Sequence, residues 1–338
     1  MFKLNISRLA LLAAGLTVFT ASRAQEVRIS GAGATFPYPV YSKWFAEYNR
    51  QHPNIKINYQ SIGSGGGIRQ FTEGTVDFGA TDGPMTNEQI NASKVQPVLH
   101  LPMVLGADVP AYNLPLQNLR FSGPVLADIF LGKITRWNDP KLAADNPGAA
   151  LPDLAITVVH RADGSGTTYI WVDYLSKVSR EWKDKVGVGT SVTWPVGLGG
   201  KGNEGVAGTI KQVPGAIGYI ELIYAKQNHI NYGSVKNAAG EYVAADLDSV
   251  TAAATNAKIP ADYRVSITNA PGKGVYPVSS FTWLLVTPAM KDKAKKSALH
   301  EFLEWAITSG QEFARKLDYA PLPAEVVTRL KKDIERMK

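Results

Sequence analysis

Short apolar runs alternate with longer amphipathic runs along most of this chain, and this alternation constrains its fold more than any other feature. EVRIS, IKINYQ and VDFGATD have the length and composition of strands, while PVYSKWFAEYNRQ has apolar residues at helical spacing. TNEQINAS predicts a further helix, with Thr86 as its N-cap. Strands that alternate with helices predict an α/β fold with a largely parallel sheet.

The alternation is interrupted twice, near VLGADVPAYNL and near NAPGKGVYPVSS. We expect the chain to cross between two α/β lobes at both places. Residues 25–110 and 277–338 would form lobe I, and residues 111–276 would form lobe II. A cleft would lie between the lobes, where α/β proteins commonly bind ligands at the carboxyl ends of their strands.

The N-terminus has the layout of a secretory signal peptide. Lys3 and Arg8 precede the apolar run LALLAAGLTVFTA, and Ser22-Arg23-Ala24 supplies small residues for cleavage after Ala24. Export of residues 25–338 to a bacterial periplasm is therefore expected. The absence of cysteine from the whole chain excludes disulfides, thiolate metal sites and thiol catalysis.

The charge of the chain gives only a mild preference for anions. The formal net charge is +7, and removal of the three basic residues of the signal peptide leaves 33 basic against 29 acidic residues, or +4. These charges are dispersed along the sequence, whereas nucleic-acid-binding proteins concentrate basic residues on one face. We therefore expect no nucleic-acid partner.

Two glycine-rich stretches precede predicted helices and could hold an anion. GAGATFP places Thr35 and Phe36 after a strand, and IGSGGG places Ser64 directly before a helix. Glycine allows close approach of the backbone, and unpaired amides at a helix N-terminus favour negative charge. Ordinary tight turns would explain either stretch alone. The second also lacks the Gly-Lys-Ser/Thr ending of a nucleotide-binding P-loop.

VDFGATD adds two carboxylates, Asp77 and Asp82, around a strand end. A single carboxylate in a loop is usually a cap or a solvated turn. If Asp82 faces an anion site, it can only accept a hydrogen bond, so it would tolerate a protonated oxyanion and repel a fully ionised one such as sulfate.

HRADGSGTT, residues 160–168, concentrates the strongest anion-binding signal in the chain. Arg161 offers a planar fork that matches two oxygens of a tetrahedral anion, and Asp163 lies close enough to orient it. Ser165, Gly166 and Thr167 then begin the next predicted helix with hydroxyl and amide donors. A surface ion pair beside a helix cap is the simpler alternative.

Nucleophilic catalysis is a second interpretation of the same stretch. Ser165 near His160 and an aspartate could imitate a catalytic triad, but Gly164-Ser165-Gly166 does not match the G-x-S-x-G elbow of hydrolases. The five histidines have no metal-ligand spacing. G-x-G-x-x-G at residues 197–202 follows no apolar strand, which argues against a dinucleotide site. The aromatic residues around Trp44, Trp171 and Trp283 are explained by core packing.

Taken in order, the signal peptide and the motifs GAGATFP, GSGGG, VDFGATD, RADGSGT and LGGKGN resemble the periplasmic phosphate-binding proteins of Pst-type ABC transporters. The resemblance covers essentially the whole mature chain, including PGAIGYIE and DYAPLP. It implies a type II periplasmic-binding-protein fold, in which two lobes joined by a hinge close over one inorganic phosphate. It also implies a set of phosphate-binding residues: Thr35, Phe36, Ser64, Asp82, Arg161, Asp163, Ser165, Gly166 and Thr167.

Within that resemblance, Arg161 is the cationic clamp supported by Asp163, and Asp82 accepts the hydrogen bond of the protonated phosphate oxygen. Two positions depart from the family pattern. Gly65 stands where many relatives have a second serine, and His160 stands where an arginine often precedes the clamp. The first departure should matter little for phosphate, while the second removes a positive charge beside the site.

The expected function is a high-affinity phosphate receptor without enzymatic activity, cofactor or metal. The resemblance implies a monomer that delivers phosphate to an inner-membrane complex of two permease subunits and an ATPase. A periplasmic phosphatase and a binder of another oxyanion on the same fold are the alternatives.

Overall fold

A computed structural model describes residues 26–338, and the predicted signal peptide lies outside the described residues. The strands are β1 (Val27–Gly33), β2 (Ile55–Ser61), β3 (Phe78–Thr81), β4 (Leu99–Tyr112), β5 (Arg120–Phe121), β6 (Thr157–Arg161), β7 (Leu198–Gly200), β8 (Ala216–Glu221), β9 (Asn231–Tyr232), β10 (Ser234–Lys236), β11 (Tyr242–Val243) and β12 (Ser279–Val286). The helices are α1 (Tyr38–Gln51), α2 (Ser64–Glu73), α3 (Asn87–Asn91), α4 (Gly123–Phe130), α5 (Pro140–Asp145), α6 (Gly166–Val178), α7 (Arg180–Lys185), α8 (Gly202–Gln212), α9 (Leu222–Gln227), α10 (Leu247–Thr255), α11 (Lys293–Ala306), α12 (Gln311–Lys316) and α13 (Ala324–Glu335).

One strand, β4, connects two half-sheets and therefore belongs to both lobes of the fold. The strand order is β2-β1-β3-β12-β4-β8-β6-β7, with β9 also paired to β4. Residues 99–107 of β4 pair with β12, and residues 108–112 pair with β8. We call the half-sheet that contains β1–β3 and its helices lobe I, and the half-sheet that contains β6–β8 and its helices lobe II.

The sheet is less uniformly parallel than the alternation of strands and helices predicts. Pairs within each lobe, β1 with β2 and β3, and β6 with β7 and β8, are parallel. The pairs that involve the crossing strands, β3–β12, β12–β4 and β4–β8, are antiparallel. The centre is antiparallel because β4 runs from lobe I to lobe II while β12 returns the chain to lobe I.

The first predicted crossing segment, near VLGADVPAYNL, lies largely within the extended strand β4, which contains two prolines, Pro102 and Pro110. Pro102 lies where the pairing of β4 with β12 shifts register, between Thr282 and Trp283. A proline cannot donate to a ladder, and such an irregularity is one of the few places in a sheet that accept it. Beyond this shift, residues 104–107 pair with β12 and residues 108–112 pair with β8, so the chain crosses as a paired strand.

The helices pack their apolar faces against this sheet, as their sequence spacing predicts. In α1, Val40, Trp44 and Tyr48 are buried on one face, and the Trp44 indole N–H donates to the Gly310 carbonyl at 2.7 Å. Trp171 and Trp283 have no exposed surface, as core packing predicts. Thr86 caps α3 in a capping box with Gln89, which confirms the predicted helix start.

Within residues 26–338, no helix combines the length and the apolar character needed to span a bilayer.

Candidate functional site

The carboxyl ends of four strands and the beginnings of three helices meet between the lobes. Strands β1 and β3 of lobe I end at Gly33 and Thr81, while β6 and β7 of lobe II end at Arg161 and Gly200. Helices α2, α6 and α8 begin there. The sequence-predicted residues at this junction are Thr35, Phe36, Ser64, Asp82, Arg161, Asp163, Ser165, Gly166 and Thr167. We call this junction the cleft.

Arg161 supplies the only cationic side chain that is buried among the described residues of the cleft. It is 3% exposed, and its Nε and Nη2 donate to the two carboxylate oxygens of Asp163 at 2.8 and 2.6 Å. Nη1 donates to Thr167 Oγ1 at 3.2 Å. A guanidinium has five N–H groups, so two of them have no acceptor within residues 26–338. These two groups can bind an anion.

Asp163 is the acidic residue that holds the guanidinium of Arg161 in place. Burial alone would raise the pKa of Asp163, but the hydrogen bond and charge of Arg161 outweigh burial and hold that pKa below its usual range. The Gly202 N–H also donates to Asp163 Oδ1 at 3.1 Å. Asp163 is therefore an ionised carboxylate that orients Arg161.

Asp82 is a buried carboxyl that lies between Ser64 of lobe I and Gly166 of lobe II. It is 1% exposed, it accepts from the Thr282 hydroxyl at 2.8 Å, and its own N–H donates to Ser64 Oγ at 3.1 Å. Burial raises the pKa of Asp82 to about 7, although the hydrogen bond from Thr282 and the charge of Arg161 act in the opposite direction. Asp82 can therefore exchange a proton with a ligand near neutral pH.

Gly166 brings the start of helix α6 against Asp82 and Ser64. A Cβ atom at Gly166 would lie 2.5 Å from Asp82 Oδ2 and 2.5 Å from Ser64 Oγ. Only glycine fits this approach, and the first-turn N–H groups of α6 have no carbonyl partners within the helix. Ser165 caps the same helix, because its Oγ accepts from the Thr168 N–H at 3.0 Å.

The lobes are closed over these groups. The Gly65 N–H of lobe I donates to the Gly164 carbonyl of lobe II at 2.9 Å, and the Tyr224 hydroxyl of lobe II donates to the Thr35 carbonyl at 2.6 Å. Ser64 and Thr167 have no exposed surface. The cleft is therefore a dry interior in this conformation, where hydrogen bonds to charged groups are stronger than in water.

Three polar residues of the cleft were missed by sequence reasoning. Asn203, at the start of α8, donates through Nδ2 to Thr35 Oγ1 at 2.8 Å and to Thr167 Oγ1 at 3.0 Å. The Thr282 hydroxyl donates to the Asp82 carboxylate. The Tyr219 hydroxyl accepts from the backbone N–H of Arg161 at 3.0 Å. The sequence offered one signal for Asn203. This polar residue directly follows the glycine-rich turn LGGKG and lies at the start of a helix at the same sheet edge.

His160 does not lie where a hydrolase would require its catalytic base, beside the candidate nucleophile Ser165. Its ring stacks on Trp194 with centroids 4.7 Å apart, and its Nδ1 lies 3.0 Å from the Arg161 carbonyl oxygen. Successive residues of a strand point to opposite faces, so His160 and Arg161 diverge. Burial lowers the pKa of His160. No histidine base is therefore placed beside Ser165.

Gly65, the other departure from the family pattern, lies where the two backbones touch. A Cβ atom there would be 3.1 Å from the Gly164 Cα atom. This is a tight contact between lobes, and a side chain at position 65 would require Gly164 to move by a few tenths of an ångström.

Two further buried carboxyls, Asp108 and Glu221, lie directly opposite each other in the β4–β8 ladder. Neither carboxylate oxygen of Asp108 has a hydrogen-bond partner within the described chain. Burial and the nearby charge of Asp82 raise the pKa values of both groups well above their usual range. Both are therefore protonated over a wide pH range, which keeps further negative charge out of the cleft.

One group of side chains outside the cleft has a spacing that could hold a metal ion. The ligating atoms of His300, Glu304 and Glu335 lie within 4.8 Å of one another on α11 and α13. Glu335 already forms an ion pair with Lys338 at 2.6 Å. Further lysines line the neighbouring surface, which places positive charge around this group.

Two α/β lobes that share crossing strands and close over a buried ligand cleft define a protein of the periplasmic-binding type. A family described as the PBP superfamily domain matches residues 20–309. The phosphate-binding protein of Stenotrophomonas maltophilia has a TM-score of 0.70 at 18% identity, over 91% of this chain and 94% of that one. A high-affinity periplasmic phosphate-binding protein solved with phosphate has a TM-score of 0.72 at 19% identity, over 90% and 93% of the two chains.

Sequence similarity shows which family of periplasmic-binding proteins the chain belongs to. The phosphate-binding protein PstS of Xylella fastidiosa is 48% identical over 316 residues, which cover 92% of this chain and 86% of that protein. The corresponding protein of Pasteurella multocida is 47% identical over 330 residues, with 96% and 95% coverage. The chain belongs to the PstS family of phosphate-binding proteins.

Proposed function

We propose that this chain is a high-affinity periplasmic receptor for inorganic phosphate that passes its ligand to the permease of an ABC transporter. The observation that carries the proposal is the composition of the cleft. Amides, hydroxyls and the free edge of Arg161 supply donors from both lobes, while Asp82 supplies one acceptor with a pKa of about 7. The names of the PstS relatives support the same ligand.

The donors are divided between the lobes, so phosphate would be bound fully only when the lobes are closed. From lobe I come the Thr35 hydroxyl, the backbone amides of Thr35 and Phe36, and the hydroxyl and amide of Ser64. From lobe II come two N–H groups of Arg161, the Ser165 hydroxyl, and the amides of Gly166 and Thr167 together with the Thr167 hydroxyl. Asp163 contributes by orienting Arg161.

Asp82 would select phosphate over sulfate. At neutral pH, phosphate keeps one P–OH group, which can donate to the Asp82 carboxylate. Sulfate has no proton to offer, so its oxygen would face a carboxylate oxygen, or Asp82 would have to be protonated. Because the pKa of Asp82 is about 7, protonating it to pair with sulfate costs little at pH 7 and about 1.4 kcal/mol, roughly a factor of ten in affinity, for each pH unit above 7. The affinities for the two anions should therefore be compared at pH 9.

We propose that the protein binds phosphate without reacting with it. Ser165 caps α6 and has no histidine base, because His160 stacks on Trp194 on the opposite face of β6. The related proteins are named for phosphate binding, and their names describe no enzyme.

The cellular setting of the proposal follows the sequence. The signal peptide would direct residues 25–338 to the periplasm, with cleavage after Ala24. There the protein would act as a monomer, with residues 25–110 and 277–338 in lobe I and residues 111–276 in lobe II. The change of partner along β4 between Ala107 and Asp108 supports a hinge close to the first of these boundaries. Its partners would be two permease subunits and an ATPase.

Isothermal titration calorimetry of the phosphate-free mature protein tests the proposal. Tight binding of phosphate and weak binding of sulfate are expected, and Arg161→Ala should weaken phosphate binding roughly 100- to 1,000-fold, because it leaves Asp163 unpaired in the cleft. Asp153→Asn, a surface change far from the cleft, serves as the control. Equal affinities for phosphate and sulfate would refute the role of Asp82. Preference for another oxyanion, or turnover of a phosphate ester that Ser165→Ala abolishes, would replace the proposed function.

A further inference from the structure

Asn203 is completely buried, and its side chain connects the two lobes. Its Nδ2 donates to the hydroxyl oxygen of Thr35 in lobe I at 2.8 Å and to that of Thr167 in lobe II at 3.0 Å. Its backbone N–H also donates to Thr35 Oγ1, at 3.2 Å. The contact with Thr35 therefore exists only when the lobes are closed.

The orientation of this amide is fixed by the backbone of β8. The Glu221 N–H donates to Asn203 Oδ1 at 2.9 Å. Exchanging the oxygen and nitrogen of the amide would place an NH₂ group against that N–H group. Only one of the two orientations can be satisfied, and it directs the NH₂ group at the two threonines.

The hydroxyl oxygens of Thr35 and Thr167 therefore each accept two hydrogen bonds, which occupies both of their lone pairs. A hydroxyl group has two acceptor lone pairs and one proton to donate. Thr35 Oγ1 accepts twice from Asn203, and Thr167 Oγ1 accepts from Asn203 Nδ2 and from Arg161 Nη1 at 3.2 Å. Neither hydroxyl donates to another described residue. Each can therefore interact with a ligand in one way, by donating its proton.

We propose that Asn203 is a positioning residue that fixes the hydroxyls of Thr35 and Thr167 as donors, and so prevents them from competing with Asp82 as acceptors for a ligand proton. The inference rests on the proposed phosphate receptor. It bears on the protonation state of the ligand: a cleft in which both threonine hydroxyls only donate and Asp82 is the one carboxylate acceptor matches HPO₄²⁻, with one P–OH group, better than H₂PO₄⁻ with two.

Asn203→Asp is the most informative change, because it keeps the size of the side chain and reverses its polarity toward the threonines. A carboxylate at position 203 would accept the threonine protons and free a lone pair on each hydroxyl. Phosphate affinity at pH 8 is expected to fall roughly 100-fold or more, on the order expected when a buried charge-assisted bond is lost. The loss should be smaller at pH 5.5, where H₂PO₄⁻ predominates. Wild-type protein titrated at both pH values provides the reference.

A double-mutant cycle distinguishes positioning from a general structural role. Asn203→Ser is too short to reach both threonines and should weaken phosphate binding roughly 10- to 100-fold. Thr35→Val removes the hydroxyl that Asn203 orients, so the serine variant should lose less affinity in that background. Asn146→Ala, which removes a buried amide far from the cleft, should lower the melting temperature and leave phosphate affinity unchanged. Melting curves without phosphate establish that each variant folds.

The outcomes separate this inference from the function on which it rests. If wild-type protein binds no phosphate, the proposed function fails. If wild-type protein binds phosphate tightly, two results overturn the role of Asn203: fold-changes of Asn203→Ser and Thr35→Val that simply multiply, or an Asn203→Asp variant with the same pH profile as wild type.

Discussion

Replacing Asp82 with asparagine is expected to flatten the pH dependence of stability of the phosphate-free protein. Burial raises the pKa of this carboxyl from 3.8 to about 7. A carboxyl with a raised folded-state pKa contributes stability below its unfolded pKa, and that contribution is lost as the pH rises through the folded value. At about 1.4 kcal/mol per pKa unit, a rise of about three units corresponds to about 4 kcal/mol between pH 4 and pH 7.

This figure is an upper bound, because opening of the cleft would hydrate Asp82 without unfolding either lobe. Asp108 and Glu221 have raised pKa values and contribute with the same sign. The quantity of interest is therefore the difference in unfolding free energy between wild type and Asp82→Asn at each pH. Wild type should lose up to about 4 kcal/mol more than the variant on going from pH 4 to pH 8.

Urea unfolding of phosphate-free protein at half-unit steps of pH measures this difference. Asp153→Asn is a suitable control, because the pKa of Asp153 is lowered by Arg136 and its effect lies below pH 4. Saturating phosphate should remove the Asp82 contribution, since a P–OH donor stabilises the ionised carboxylate. Parallel profiles for wild type and Asp82→Asn without phosphate would refute the argument that burial holds a proton on this group.

Other changes in the cleft have separable consequences. Gly166→Ala keeps the backbone amide but places a methyl group 2.5 Å from Asp82 and Ser64, so it should weaken phosphate binding about 100-fold in calorimetry. Ser165→Ala removes the cap of α6 and should lower stability by about 1 kcal/mol in urea unfolding as well as weaken binding; unchanged stability would contradict the cap. Arg161→Lys keeps the charge but loses the fork, so a Kd within twofold of wild type would show that bidentate geometry is unimportant.

Local chemistry was predictable from the sequence wherever it depends on neighbouring residues. Thr86 caps α3 as predicted, and helix α6 begins at Gly166 after the RADGS stretch. Strand and helix types follow from apolar spacing in the same way. Such features are decided by contacts within a few residues, which the sequence displays directly.

Features that depend on distant contacts were not predictable in the same way. Antiparallel pairing at the centre of the sheet depends on the return of β12 beside β4, where Ser279 pairs with Ala107, 172 residues earlier in the chain. The register shift that accommodates Pro102 depends on the same distant partner strand. Asn203 was hidden for the same reason, because its partners Thr35 and Thr167 lie 168 and 36 residues away in sequence.

Strand β4 also determines how quickly a cleft of this kind can release what it holds. Its hydrogen-bonded ladder continues across the junction at Ala107 and Asp108, with β12 on one side and β8 on the other. A rotation of one half-sheet against the other twists this backbone and need not break the ladder. The activation barrier for opening then arises from contacts between the lobes, inside the cleft and at outer pairs such as Lys226 with Asp318, so the residence time of the ligand depends on the side chains that recognise it and on those that hold the lobes closed.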